Sequence, residues 1–366
     1  MKQLILTAEN HYAQLEQYLQ KANGLFLVCG SSIGSLKIGA YLEELPRRLG
    51  IPVIKFSDFH PNPSWESVAE GVEKFRGSGC NMIAAVGGGS AIDVAKCIKL
   101  WYTSEKEDTE IGLLQGEIPL LAVPTTAGSG SEATRFAVIY RRGRKQSITD
   151  ERCLPSAVCF DPGVLDTLPL YHKKAAMLDA LCHGIESFWS INSTQESQAY
   201  SYQAIQMILN GAEDYLRQGR GAPIQQAAYL AGQAINIAQT TAGHAMSYSI
   251  TSQWGIAHGH AAALCVAALW PYMLAHMEDC VDSRGERYLA GILQKIASAM
   301  FCATSEQAAE RFCQLMKLWG MAAPAGAKPD LDALASAVAP ERLKNHPIRL
   351  DRTAIHGLYE KIFCSV

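Results

Sequence analysis

The stretch MLDALCHGIES, residues 177–187, places Asp179 and His183 four positions apart in an otherwise apolar run. On a helix, positions i and i+4 lie on one face, so the two side chains would stand one above the other. Their neighbours Met177, Leu178, Ala180, Leu181 and Ile185 predict a buried setting. A carboxylate there needs a hydrogen-bonded partner or a cation, because an unpaired buried charge is strongly unfavourable. Downstream, TTAGHAMSYSITSQWGIAHGHAAAL carries His244, His258 and His260. A helix over AMSYSITSQ and a turn at WGIAHGH would fold His258 back toward His244. Three imidazoles and one carboxylate form an N/O donor set suited to a divalent first-row metal, with a coordination position left for a substrate oxygen. The residues alone leave two readings open: a metal site, or a polar cluster satisfied by its own hydrogen bonds.

A second chemistry is written in two glycine- and hydroxyl-rich stretches. AAVGGGSAIDVAK sets Gly87, Gly88 and Gly89 between an apolar strand and a helix. Glycines allow a sharp turn and close approach of the backbone to a ligand. Ser90 and Asp93 fit a capping box, which would leave other amides at the helix start facing an anion such as a pyrophosphate. VPTTAGSGSEATRF follows another apolar strand and offers Thr125, Thr126, Ser129 and Ser131 as donors to a dinucleotide. Such loops at the carboxyl ends of parallel strands are where open α/β sheets bind ligands. The first long strand ends in LVCGSSIGS, with Gly30 and Ser31 where many dinucleotide folds hold the ribose with a carboxylate. Nothing there repels a 2′-phosphate, so NADPH is expected, with NADH as the alternative.

The elements that must position these residues alternate in the first half. GLFLVCG, IPVIKF, MIAAVGGGS and PLLAVPTT read as strands, separated by helical segments such as SWESVAEGVEKFRG and AIDVAKCIKLWY. Short apolar strands alternating with helices predict a buried parallel sheet. From about residue 170 the strand signals stop and helical periodicity takes over. The expectation is a Rossmann-like α/β domain over 1–168 and an all-helical domain over 169–366, with the junction near DPGVLDTLP. The chain of 366 residues is long enough for two cores; 18% charged residues and a net charge of −3 give no sign of a nucleic-acid or membrane-surface partner. HAAALCVAALWPYMLAH is too short for a membrane span and is broken by Pro271. The start shows no signal-peptide pattern, and the 11 cysteines contain no C-x-x-C pair, so a cytoplasmic protein with reduced thiols is expected.

The motifs GGGSAIDVAK, PTTAGSGSE, DPGVLDTLP, LDALCHGIES and the His244–His258 pair, taken in order, resemble the iron-dependent (type III) alcohol dehydrogenases over essentially the whole chain. The resemblance implies the two-domain fold shared with the dehydroquinate synthases and hydride transfer between a nicotinamide and a small aldehyde or alcohol. It also implies a divalent metal, Fe²⁺ or Zn²⁺, held by Asp179, His183, His244 and His258. Lys145 would then face the cofactor, and a homodimer is expected. Within the family, LDALCHGIESFWS, AINIAQTTAGHAMSY and IAHGHAAALC resemble the phosphonoacetaldehyde reductases, which implies a phosphonate-bearing aldehyde. Many members carry a second histidine four residues after the first of the pair; here that position is Tyr248. A phenol, with an ordinary pKa of about 10, is a less ready proton shuttle than imidazole, so His260 is a second candidate for the relay. An anionic substrate would also need a cation, for which Arg135 is a candidate. Two other readings stand beside this one, a sugar-phosphate cyclase or polyol-phosphate dehydrogenase of similar layout, and a nucleotide sensor with a structural metal.

Overall fold

The computed structural model describes residues 3–107, 118–142, 144–324 and 329–364. By its internal contacts the chain divides into two compact units, Met1–Leu168 and Pro169–Val366.

The first unit is built on a six-stranded parallel sheet: β1 (Leu4–Thr7), β2 (Leu25–Cys29), β3 (Val53–Phe56), β4 (Met82–Gly87), β5 (Leu120–Pro124) and β8 (Ala157–Phe160). Every residue of β2, β4 and β5 is buried, as expected for central strands covered on both faces. The strand order is β1-β8-β5-β4-β2-β3, so the chain steps outward from β2 to β3 and then returns to the far side of β2 with β4. That reversal makes the carboxyl ends of β2 and β4 the topological switch point, where open α/β sheets take their ligands. Gly30 follows β2, and Gly87–Gly89 end β4, at this point; the pairing of Cys29 with Val86 sets them side by side. The apolar runs predicted four of these strands. β1 and β8 were not singled out by such runs; β1 leaves Leu4 and Ile5 exposed. β6 (Phe136–Arg141) and β7 (Arg144–Thr149) form a separate antiparallel hairpin.

The second unit is helical among the described residues. Its centre is the helix Leu170–Trp189, buried without interruption from Met177 to Trp189. Gln195–Gln218, Ala222–Ala238 and His258–Ala275 pack against it. Trp189 and Trp270 meet edge to face with centroids 5.6 Å apart, anchoring the core beneath the helix. Pro271 lies inside His258–Ala275 and does not end it, so the expected break is absent. No helix among the described residues is long and apolar enough to cross a membrane.

Candidate metal centre

Three helices of the second unit deliver the candidate ligands. Asp179 and His183 sit one turn apart on Leu170–Trp189, His244 in the first turn of Ala242–Trp254, and His258 at the first position of His258–Ala275. Gly255, in the left-handed conformation with φ 64°, ends the second of these helices and lets the chain return. The next approach is closer still. A Cβ on Gly259 would lie 2.1 Å from the Ala175 carbonyl oxygen and 2.5 Å from Asp179 Cβ. Glycine is therefore required where the third helix meets the first, main chain against main chain.

Ligand atoms of Asp179, His244 and His258 fall within 4.8 Å of one another. His244 Nε2 is 3.4 Å from Asp179 Oδ1, and His183 Nε2 is 4.0 Å from the same oxygen. The His183 and His244 rings stack at 4.5 Å, and His258 meets His244 at 5.3 Å. Asp179 Oδ1 and His244 Nε2 are both buried without a hydrogen bond. An oxygen and a nitrogen lone pair, aimed at one point and otherwise unsatisfied in a core, are what a cation leaves behind in a structure of the protein alone. Burial alone would raise the Asp179 carboxyl. The imidazoles of His183, His258 and His244 gathered around it hold it well below the usual carboxylate range. The donor set is hard-to-borderline N and O, and fits Fe²⁺ or Zn²⁺.

The imidazoles are oriented from behind. Glu186, fully buried, hydrogen-bonds His244 Nδ1 through Oε2. Its Oε1 accepts from the Thr241 hydroxyl (2.6 Å) and from the backbone N–H groups of Thr241 (3.1 Å), Gly243 (2.9 Å) and His244 (3.4 Å). One carboxylate thus satisfies amides at the start of Ala242–Trp254 and fixes the His244 tautomer, leaving Nε2 with a lone pair. Burial opposes its ionisation, but the adjoining His244 imidazole and these donors hold the Glu186 carboxyl down at about 2. Ser247 does the same service for His258. Its hydroxyl donates to the His244 carbonyl at 2.8 Å, so at 3.4 Å it accepts from His258 Nδ1. Sequence reasoning missed Glu186. Its signal is spacing: positions 179, 183 and 186 share one helical face.

Of the two relay candidates, Tyr248 lies at the cluster, its ring parallel to His258 at 5.4 Å. His260 does not join it. Its Nε2 donates to the Ala322 carbonyl at 3.0 Å, so Nδ1 is the acceptor of the Tyr171 hydroxyl at 3.2 Å. Tyr171 Oη in turn accepts from the Ala257 amide at 3.0 Å. Burial pushes the His260 pKa down, which suits a neutral ring that ties the loop before His258 in place. The expectation of a proton shuttle at His260 is corrected accordingly: both ring nitrogens are committed.

In the first unit the two candidate cofactor loops are pressed together. Thr125 N donates to the Gly87 carbonyl at 3.0 Å. A Cβ on Gly88 would reach Thr126 Cγ2 at 3.3 Å, and one on Gly89 would reach Ser129 Oγ at 3.0 Å. Ser31 opens the short turn after Gly30. The expected capping box is absent. The helix already begins at Gly89, so Ser90 lies inside its first turn, and Asp93 turns instead to Ser131 Oγ (2.6 Å) and Val138 N (2.9 Å). Fully buried Lys96 donates to Ser131 Oγ (3.0 Å), Thr134 Oγ1 (3.1 Å) and the Phe136 carbonyl (2.6 Å). Asp93 and Lys96 therefore clamp the second loop onto the first helix rather than capping it. Lys145 lies opposite Tyr140 in the hairpin and acts electrostatically on Asp93. Arg135, the cation expected for an anionic substrate, is paired with the exposed Glu151 at 3.0 Å.

Comparison with known proteins agrees with this architecture. Residues 3–162 match the model of the iron-containing alcohol dehydrogenases, and residues 173–363 match that of the Fe-containing alcohol dehydrogenase family, C-terminal region. The chain is 33% identical over 365 residues to the phosphonoacetaldehyde reductase of Streptomyces viridochromogenes, covering 94% of this chain and 91% of that protein. It is 31% identical over 301 residues to alcohol dehydrogenase 4 of Schizosaccharomyces pombe, covering 77% and 68%. The iron-containing alcohol dehydrogenase structure from Thermococcus thioreducens superposes with a TM-score of 0.87 at 21% identity, over 100% of this chain and 99% of that one. The chain belongs to the iron-containing alcohol dehydrogenase family, NAD(P)-dependent oxidoreductases that use a divalent metal.

Proposed function

We propose that the protein reduces a small anionic aldehyde to its primary alcohol with NADPH, the best candidate being phosphonoacetaldehyde, which would give 2-hydroxyethylphosphonate. The observation that carries the metal-dependent reading is the pair of buried, hydrogen-bond-deprived atoms Asp179 Oδ1 and His244 Nε2. The likeness to a phosphonoacetaldehyde reductase over most of both chains supports the substrate.

Asp179, His183, His244 and His258 would hold the ion. A divalent cation there supplies Lewis-acid polarisation of a carbonyl oxygen, and a reduced nicotinamide supplies the hydride. The chain's own contribution is placement and proton supply. Glu186 and Ser247 keep the lone pairs of His244 and His258 turned toward Asp179. Tyr248 Oη, on the ring stacked against His258, carries the proton for the alkoxide oxygen. Gly87–Gly89 and Thr125–Ser129 supply the backbone and hydroxyl donors for a dinucleotide.

Two measurements test this. With metal-loaded protein and both cofactors, kcat/KM for phosphonoacetaldehyde should exceed that for propanal by about 100-fold, the scale set by recognition of a charged group. Equal rates for the two aldehydes reject the substrate. Gly30 has extended backbone (φ −79°), and a Cβ there meets nothing within 4 Å, so a side chain is accommodated. Gly30→Asp should repel a 2′-phosphate and move the NADPH-to-NADH ratio of kcat/KM at least about tenfold toward NADH, equivalent to about 1.4 kcal/mol. An unmoved ratio rejects the ribose argument.

A further inference from the structure

A substrate with a doubly charged head one methylene from its carbonyl needs a cation near the metal centre. The candidate suggested by the sequence, Arg135, is paired with Glu151. The second unit holds another. Arg342 lies on the short helix Pro340–Leu343, well beyond the last motif that sequence reading singled out. Its Nη1 donates to Tyr248 Oη at 3.3 Å, and its guanidinium carbon stands 5.0 Å from the Tyr248 ring centroid. Tyr248 in turn lies flat against His258, the two rings within 4° of parallel.

The geometry points to Arg342 as the specificity-determining residue for the anionic head of the substrate, a phosphonate or a similar tetrahedral oxyanion; this rests on the reading above that the substrate is an anionic aldehyde.

Three features support it. First, Arg342 is half-buried and, among the described residues, forms no ion pair with a carboxylate. Its charge is set against a phenol and an aromatic face, which orient it without neutralising it. Second, the hydrogen bond to Tyr248 engages one N–H of a guanidinium that carries further N–H donors along its edge. That edge is the fork that binds two oxygens of a phosphonate at once. Third, the residue is held in place. Just beyond it, Asn345 Nδ2 donates to Gln239 Oε1 at 2.8 Å and to the Thr240 carbonyl at 3.3 Å, and the Ile191 amide donates to the Asn345 carbonyl at 3.1 Å. These bonds fasten the segment to the start of the helix that carries His244 and Tyr248. Arg342 therefore adjoins Tyr248, and Tyr248 adjoins the candidate ligand His258.

The test compares Arg342→Ala and Arg342→Lys with the unaltered, metal-loaded enzyme. The ratio of kcat/KM for phosphonoacetaldehyde to that for propanal should fall about 100-fold in Arg342→Ala, mainly through KM, and by less in Arg342→Lys, which keeps the charge but not the fork. Calorimetric binding of ethylphosphonate to the NADP⁺-bound, metal-loaded enzyme should weaken by a similar factor. Equal losses on both aldehydes would show that Arg342 only props Tyr248, and would overturn the inference. So would ethylphosphonate binding that is absent in the unaltered enzyme or the same in Arg342→Ala. If the unaltered enzyme does not prefer phosphonoacetaldehyde, the substrate reading fails by itself, and ethylphosphonate binding alone decides whether Arg342 serves another anion.

Discussion

His258→Ala is expected to yield a folded protein with little bound metal and a kcat lowered about 1000-fold. The size follows from the several kcal/mol of charge stabilisation that a Lewis acid supplies, each 1.36 kcal/mol being about tenfold in rate. The fold should survive because His258 opens its helix in a half-buried position, where alanine is well tolerated. Ser247 loses one contact but keeps its hydrogen bond to the His244 carbonyl. Melting curves and elemental analysis on the same sample separate the two effects. Metal content equal to that of the unaltered protein would remove His258 from the ligand set.

Glu186→Gln should weaken metal binding by about 10- to 100-fold while leaving the helices in place, the range typical of groups that orient a metal-binding histidine. The amide oxygen must take the Oε1 position, because the Thr241, Gly243 and His244 donors converge there. That leaves an NH₂ facing His244 Nδ1, where a carboxylate oxygen stood. Two donors cannot share that contact, so the imidazole moves its proton to Nε2 and loses the lone pair aimed at Asp179. Glu186→Ala is a harsher change, since it strands buried amides and an imidazole together, and should cost about 3–5 kcal/mol of stability. Competition with a chelator measures the first effect and denaturant unfolding the second. An unchanged metal Kd in Glu186→Gln would mean that the His244 tautomer is set by something other than this carboxylate.

The parallel sheet was legible because a strand covered on both faces must be apolar throughout, as β2, β4 and β5 are. β1, by contrast, exposes Leu4 and Ile5 and so lacks a continuous buried run. Asp179 and His183 were legible for a complementary reason, as polar residues in an apolar helical stretch. Glu186 lies on the same face, yet its task exists only once residues 241–244 arrive from another helix. The misreading of Asp93 turned on two residues of helix boundary. With the helix starting at Gly89, the Ser90–Asp93 pair no longer brackets its end, and Asp93 was drawn to Ser131 and Val138 by contacts remote in sequence. His260 is two residues from His258, but on a helix such neighbours point to different sides. Arg342 belongs to no motif at all; only packing brings it to Tyr248.

The abutment at Gly259 has a bearing on how the ion is gripped. Where a cage is spaced by rotamers, it can breathe to suit cations of different radius. Here the two helices that carry the carboxylate and the third imidazole meet at the Ala175 carbonyl and the Asp179 Cβ, with no room for even a methyl group at Gly259. The opening offered to a cation inherits the stiffness of that seam, and its size is dictated by the scaffold before any metal arrives.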